Sequence, residues 1–181
     1  MTRRRVVTVV QRRLTHYRVP LFEQMRQRLD ADGIDFRLLH GEATAPEAAK
    51  HDAGHIAWAE TLPTRYLLDG RLCWQPFMHR AAASDLVVVT QENKLLNNLL
   101  AIASPWRRPA LAFWGHGRNM QAPQPDGARE RFKRWTTNRV DWWFAYTALS
   151  ADFVRNDGFP AARITVLDNS IDTGELRAAV A

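Results

Sequence analysis

This chain has too few cysteines to form an internal disulfide. Cys73 is the single one, and a lone thiol points to a reducing compartment. Nor is there an apolar run long enough for a membrane span. The N-terminal Arg3-Arg4-Arg5 is followed by an apolar stretch, residues 6–10, too short for a signal h-region, and polar Gln11-Arg12-Arg13 comes next. The expected location is therefore the cytoplasm. No P-loop lysine, nucleophile elbow or zinc motif is present. His40, His51, His55 and His79 share no metal-ligand spacing with one another or with Cys73, so no metal site is expected. The first turn after a strand, residues 11–18, lacks Gly-x-Gly, which removes the backbone cradle that a dinucleotide needs.

Basic charge and tryptophan are what the chain has in excess. Over 181 residues, 25 Lys and Arg against 19 Asp and Glu leave a formal charge of +6, and there are seven tryptophans. The charge favours anionic partners such as phosphorylated ligands, acidic headgroups or nucleic acid. Against nucleic acid, the arginines are scattered over helices and loops instead of alternating with aromatics on one face. Hydrophobic content of 46% supports one well-buried domain.

β-Branched and apolar runs predict strands over 5–11, 34–40, 85–91, 142–147 and 163–167, with a further buried strand starting at Leu111. Helical spacing predicts helices from 19 to about 30, and over 76–83, 94–103, 126–139 and 149–156. In the first of these, Leu21, Phe22, Met25 and Leu29 form the buried stripe. In the 94–103 helix, Leu95, Leu96, Leu99, Leu100 and Ile102 are expected to face the core. A short hairpin is expected at 64–68 and 72–74, after a variable excursion over 41–62. Alternating strands and helices give an α/β three-layer, Rossmann-like domain with a largely parallel sheet.

The central stretch is Leu111-Ala112-Phe113-Trp114-Gly115-His116-Gly117-Arg118-Asn119. A buried strand ends there in a histidine between two glycines, which allow a sharp turn and a close approach to a ligand. Ligands in open α/β sheets sit beyond the carboxyl ends of the strands. His116 is thus either a functional imidazole or a side chain that ties a loop. Arg118 and Asn119 could bind a phosphate or a sugar hydroxyl. His16, Tyr17 and Arg18 stand at a helix start, where free N–H groups and a cation favour an anion. Glu92 and Asn93 end another strand and either cap the next helix or share a cleft with His116. The helix near 129–139 either packs Phe132 and Trp135 on the sheet or lays them on an acidic bilayer.

Four segments carry a resemblance: residues 16–22 (His-Tyr-Arg-Val-Pro-Leu-Phe), 113–119 (Phe-Trp-Gly-His-Gly-Arg-Asn), 141–147 (Asp-Trp-Trp-Phe-Ala-Tyr-Thr) and 158–172, a Gly-x-Pro…Arg-Ile-x-Val…Asn-x-x-Asp run. Together they resemble the N-terminal domain of GT-B glycosyltransferases of the group 1 (family 4) class. The resemblance implies that residues 1–172 are the acceptor-side domain and 173–181 the start of an interdomain linker. It also implies that the donor-binding C-terminal domain is absent, so this truncated chain alone should be inactive. The implied activity is retaining, metal-independent transfer of a sugar from a nucleotide-sugar to a glycan or lipid-linked acceptor. No cofactor is implied beyond the donor substrate. His116 would serve at the donor sugar, with Gly115, Gly117, Arg118, Asn119, His16, Tyr17, Arg18 and Glu92 as substrate-binding residues. The family's paired glycines are missing from the first loop. Peripheral contact with an acidic membrane at the inner face is a further expectation, and no nucleic acid is. The alternatives are a basic α/β anion- or nucleic-acid-binding module, and half of a sugar-nucleotide epimerase.

Overall fold

A computed structural model describes residues 3–104, 109–117, 128–169, 173 and 177, with the side chains of 128–130 set aside. In chain order the elements are β1 (Arg5–Gln11), α1 (Val19–Ala31), β2 (Ile34–His40), α2 (Ala45–Ala48), β3 (Glu60–Thr61), β4 (Arg65–Leu67), β5 (Leu72–Trp74) and β6 (Leu86–Thr90). After these come α3 (Leu96–Ala103), β7 (Ala110–Gly115), α4 (Ala128–Thr137), β8 (Trp142–Ala145), α5 (Ala148–Asn156) and β9 (Ile164–Val166). Seven strands form one sheet in the order β3-β2-β1-β6-β7-β8-β9, and every neighbouring pair is parallel. β4 and β5 make a separate antiparallel hairpin. The fold is therefore the expected three-layer, Rossmann-like one with a parallel sheet.

Strand order dictates where the helices go. From β1 the chain moves outward through β2 and β3, then returns to β6 on the other side of β1 and moves outward again. With right-handed crossovers, the two directions place their helices on opposite faces. The reversal lies between β1 and β6, and the crevice beyond their carboxyl ends is where such sheets hold ligands.

Alternation along the strands gives each face its own core. Val87 and Val89, Leu111 and Phe113, and Trp143 join Val154 and Phe159 on the side of α3 to α5. Trp143 is fully buried, and its indole N–H donates to the Thr137 carbonyl at 3.0 Å. Val9, Val88, Ala112 and Trp114 gather with Phe22 and Phe36 on the side of α1. That second face is less covered. A groove of about 420 Å³ runs between α1 and the strands β1, β6, β7 and β8, lined by Leu21, Met25, Leu86, Val88, Trp114 and Phe144 among others. The α1 stripe is accordingly buried only at Phe22, while Leu21, Met25 and Leu29 stay half-buried.

Two local expectations fail, and one open alternative, in α4, is narrowed. Residues 76–83 form turns, not a helix. The 94–103 helix starts at Leu96 and buries Asn97, Asn98 and Ala101, leaving Leu100 exposed. Polarity wins there because the Asn98 amide donates to the Thr90 carbonyl at the end of β6, a bond that leucine cannot make. In α4 the buried side chains are Thr136 and Thr137, whereas Phe132 and Trp135 face outward.

Candidate functional site

The site begins with the strand ends. β7 delivers Trp114 and Gly115 to the carboxyl rim, and the chain then turns through exposed His116 to buried Gly117. Gly117 has φ +73°, a left-handed conformation, and a Cβ there would lie 2.7 Å from Val154 Cγ2. Both the turn and the packing on α5 thus require glycine. Gly115 is less constrained: a Cβ would meet the Gln91 Cβ at 3.2 Å.

His116 packs its ring against Tyr146, at the end of β8, with centroids 4.4 Å apart. Partial burial lowers its pKa, and the positive charges of Lys133 and Arg18 add to that effect. The neutral imidazole is therefore favoured, a form that both donates and accepts a hydrogen bond.

The first loop brings Arg18 to the same rim. Thr15 opens a single 3-10 turn, His16–Arg18, that leads directly into α1, with Pro20 in the first helical turn. The Arg18 guanidinium lies over the rings of Trp114 (5.2 Å), Tyr146 (5.7 Å) and Tyr17 (5.9 Å). It donates to the Tyr146 hydroxyl at 2.8 Å and to Gln11 Oε1 at 3.3 Å. No carboxylate among the described residues pairs with it. A guanidinium has five donors, so several N–H groups of Arg18 remain for a ligand. Buried polar atoms around it also lack partners among the described residues: Gln11 Nε2 and Trp114 Nε1.

The neighbouring arginines are occupied. Arg12 makes a two-pronged pair with Glu47 at 2.6 and 2.8 Å, and its Nε lies 3.2 Å from Glu92. Arg13 grips Asp52 in the same way, at 2.6 and 2.8 Å. Hydrogen bonding to Arg12 holds the Glu47 carboxyl far below the usual carboxylate range.

The expected site residues thus fall into three groups. Gly115, His116, Gly117, Tyr17 and Arg18 converge on one sector of the rim. Glu92 is drawn away into the ion pairs with Arg12 and with Lys94 (3.4 Å). Its capping alternative does not hold either, because Leu95 is the residue at the N-cap of α3. His16 is exposed and tied by backbone and ring to the Asp52 carbonyl, at 2.9 and 3.2 Å. Arg118 and Asn119 lie outside the described residues. Sequence reading missed Tyr146, Gln11 and Trp114 as parts of the site. Trp114 and Tyr146 end apolar strands and read there as core, although parallel strands aim their last residues at the ligand crevice. Among the described residues no group of three or more His, Cys, Asp or Glu could hold a metal ion.

No known protein-family model matches the chain, and no curated protein sequence does. Solved structures do resemble it in fold. The UDP-GlcNAc 2-epimerase from Methanocaldococcus jannaschii is 12% identical, covering 90% of this chain and 45% of that one, with a TM-score of 0.52. The enzyme of the same name from Neisseria meningitidis, bound to UDP-GlcNAc, is 13% identical over 90% of this chain and 46% of its own, with a TM-score of 0.52. Anabaena Alr3699/HepE in complex with UDP-glucose is 17% identical over 98% of this chain and 50% of its own, with a TM-score of 0.53. The chain spans about half the length of these structures. What it shares with them is the Rossmann-like lobe of the GT-B fold.

Proposed function

We propose that this chain is the acceptor-side lobe of a retaining, metal-independent glycosyltransferase that moves a sugar from a nucleotide-sugar to a glycan or lipid-linked acceptor. The observation that carries the reading is Arg18, a half-buried cation with no carboxylate partner among the described residues, which acts electrostatically on the neutral imidazole of His116 and stands on the loop leaving β1, where the strand order reverses. Glycosyl transfer leaves negative charge on a departing diphosphate, and a preorganised cation stabilises it as it develops. Arg18 fills that role, with Gln11 and Trp114 supplying unpaired N–H groups nearby. His116 hydrogen-bonds the donor sugar. Tyr17, Gly115 and Gly117 shape the pocket; Arg118 and Asn119, which lie outside the described residues, are further proposed substrate ligands. His16 and Glu92 stand off it, held by Asp52 and by Arg12 and Lys94.

On this reading residues 1–172 form the lobe, 173–181 open a linker, and a second lobe holds the nucleotide. A polypeptide carrying both lobes should transfer labelled sugar to an acceptor, while the 181-residue chain should not. His116→Ala in the longer protein should slow transfer by about a hundredfold. Unchanged turnover in that variant would refute the assignment of His116. The likeness in fold to UDP-GlcNAc 2-epimerases favours a second reading, half of a sugar-nucleotide epimerase. The two part on one measurement: an epimerase converts UDP-GlcNAc with no acceptor present, whereas a transferase needs the acceptor.

A further inference from the structure

The helix α4 places two large aromatic side chains in solvent. Phe132 is 38% exposed and Trp135 49% exposed. They are one turn apart and stack on each other, with centroids 5.8 Å apart and planes 25° from parallel. Arg139 lies over the Trp135 ring at 4.4 Å, and Arg131 and Arg134 flank the pair, both exposed. Arg134 reaches Asp157 at 3.3 Å. The helix does not need these rings for its own packing, because it docks through Thr136 and Thr137, with Val140 buried just beyond its end. Thr137 bonds both Gln91 and Trp143.

We infer that this face of α4 seats the domain on an anionic lipid surface. Aromatic rings among arginines suit the bilayer interface, where the rings enter the headgroup boundary and the cations meet acidic headgroups. Other occupants fit less well. A stable protein interface buries about 800 Å² on each partner, far more than two side chains offer. A second copy would set Arg131, Arg134 and Arg139 against their own counterparts. Single-stranded nucleic acid would need open ring faces for base stacking, but here Phe132 and Arg139 occupy those of Trp135. No helix among the described residues is long and apolar enough to cross a membrane, so α4 would lie on the surface. Lys133, on the same helix, is near enough to depress the pKa of His116. The candidate site would then open beside the lipid.

The test needs neither donor nor acceptor, so its result is independent of the sugar chemistry. The chain is sedimented with vesicles of phosphatidylcholine alone and of phosphatidylcholine mixed with phosphatidylglycerol. It should bind the mixed vesicles and not the neutral ones, and added salt should release it. Phe132→Ser combined with Trp135→Ser should reduce binding more than tenfold without lowering the thermal midpoint, since both rings are exposed. Arg131→Gln and Arg139→Gln should each weaken it about fivefold. Brominated acyl chains should quench tryptophan fluorescence in the wild type and lose that quenching in Trp135→Ser. Vesicle binding equal in wild type and double variant would overturn the inference. So would self-association or RNA binding through these residues with no binding to anionic vesicles.

Discussion

Three arginines occupy eight residues of the first loop, and they live in two different electrostatic settings. Arg12 and Arg13 each grip a carboxylate with both arms of the guanidinium, Glu47 for one and Asp52 for the other. Among the described residues, Arg18 has a phenol, an amide oxygen and three aromatic faces, and no carboxylate. The first two cations are neutralised within the fold and fasten the 41–62 excursion to the end of β1. The third keeps its charge available at the rim. A half-buried cation without a counter-ion is costly to a protein unless something outside supplies the negative charge. The paired arginines therefore build the wall, and Arg18 is the group we propose meets a ligand.

The largest effect expected from this contrast is on stability. Arg12→Ala should cost about 2 kcal/mol, below the range for fully buried pairs because Glu47 and Glu92 keep some contact with water. Urea unfolding measures it. Arg18→Leu should change stability by less than about 1 kcal/mol, since the aliphatic replacement still covers Trp114 and leaves no carboxylate stranded. If Arg18→Leu proved as destabilising as Arg12→Ala, the division between wall and ligand group would be wrong. The same Arg18→Leu variant should lose about tenfold or more in affinity for inorganic pyrophosphate or UDP, the loss expected for a charge-assisted hydrogen bond. Calorimetry on the intact chain reads this directly, with Arg13→Gln as the control expected to bind almost normally.

Acid separates the two settings next. Glu47 has its carboxyl pKa depressed by hydrogen bonding to Arg12. A depressed acid contributes stability that is present above its unfolded value, 4.5, and is lost as pH falls through the lower folded value. The fastening of the excursion should therefore hold at mildly acidic pH and weaken progressively below the usual carboxylate range. In Glu47→Gln that part of the acid dependence should vanish, while the pyrophosphate site at Arg18 should be unaffected. A stability profile identical to the wild type would mean that the pair carries no net weight.

The contrast among the arginines was not legible in the sequence, and the reason is physical. Arg12, Arg13 and Arg18 differ by partners that arrive from 35 to 128 residues away: Glu47, Asp52 and Tyr146. No local pattern records such contacts. The fold was far more legible. Val6–Val10 and Leu86–Val89 are runs whose composition suits a strand buried on both faces, and both became central strands. Gly115-His116-Gly117 was readable as a rim turn because Gly117 needs a backbone region that side chains disfavour. Helix burial was less so. Leu100 and Trp135 look like core residues by composition, yet Asn98 and Thr137 are buried instead, because the strand ends beneath them present polar groups that need partners.

The smallest expected effect on stability belongs to His116, and it tests whether the two sides of the rim sector act as one. Its imidazole, although exposed, is partly desolvated and faces the charges of Lys133 and Arg18, so its pKa lies below 6.5. The unfolded chain then binds a proton more readily than the folded one between that lowered value and 6.5. Stability contributed by the neutral ring is complete above the window and declines as pH falls through it. Because the ring is exposed, His116→Gln should alter stability by no more than about 0.5 kcal/mol. The informative measurement is the NMR titration of the ring protons. Saturating pyrophosphate bound at Arg18 would cancel the positive field on the imidazole, so the His116 pKa should rise and binding should take up protons as pH falls. A His116 titration indifferent to pyrophosphate, in a chain that demonstrably binds it, would place the anion away from this ring and detach the histidine from the arginine as a working pair.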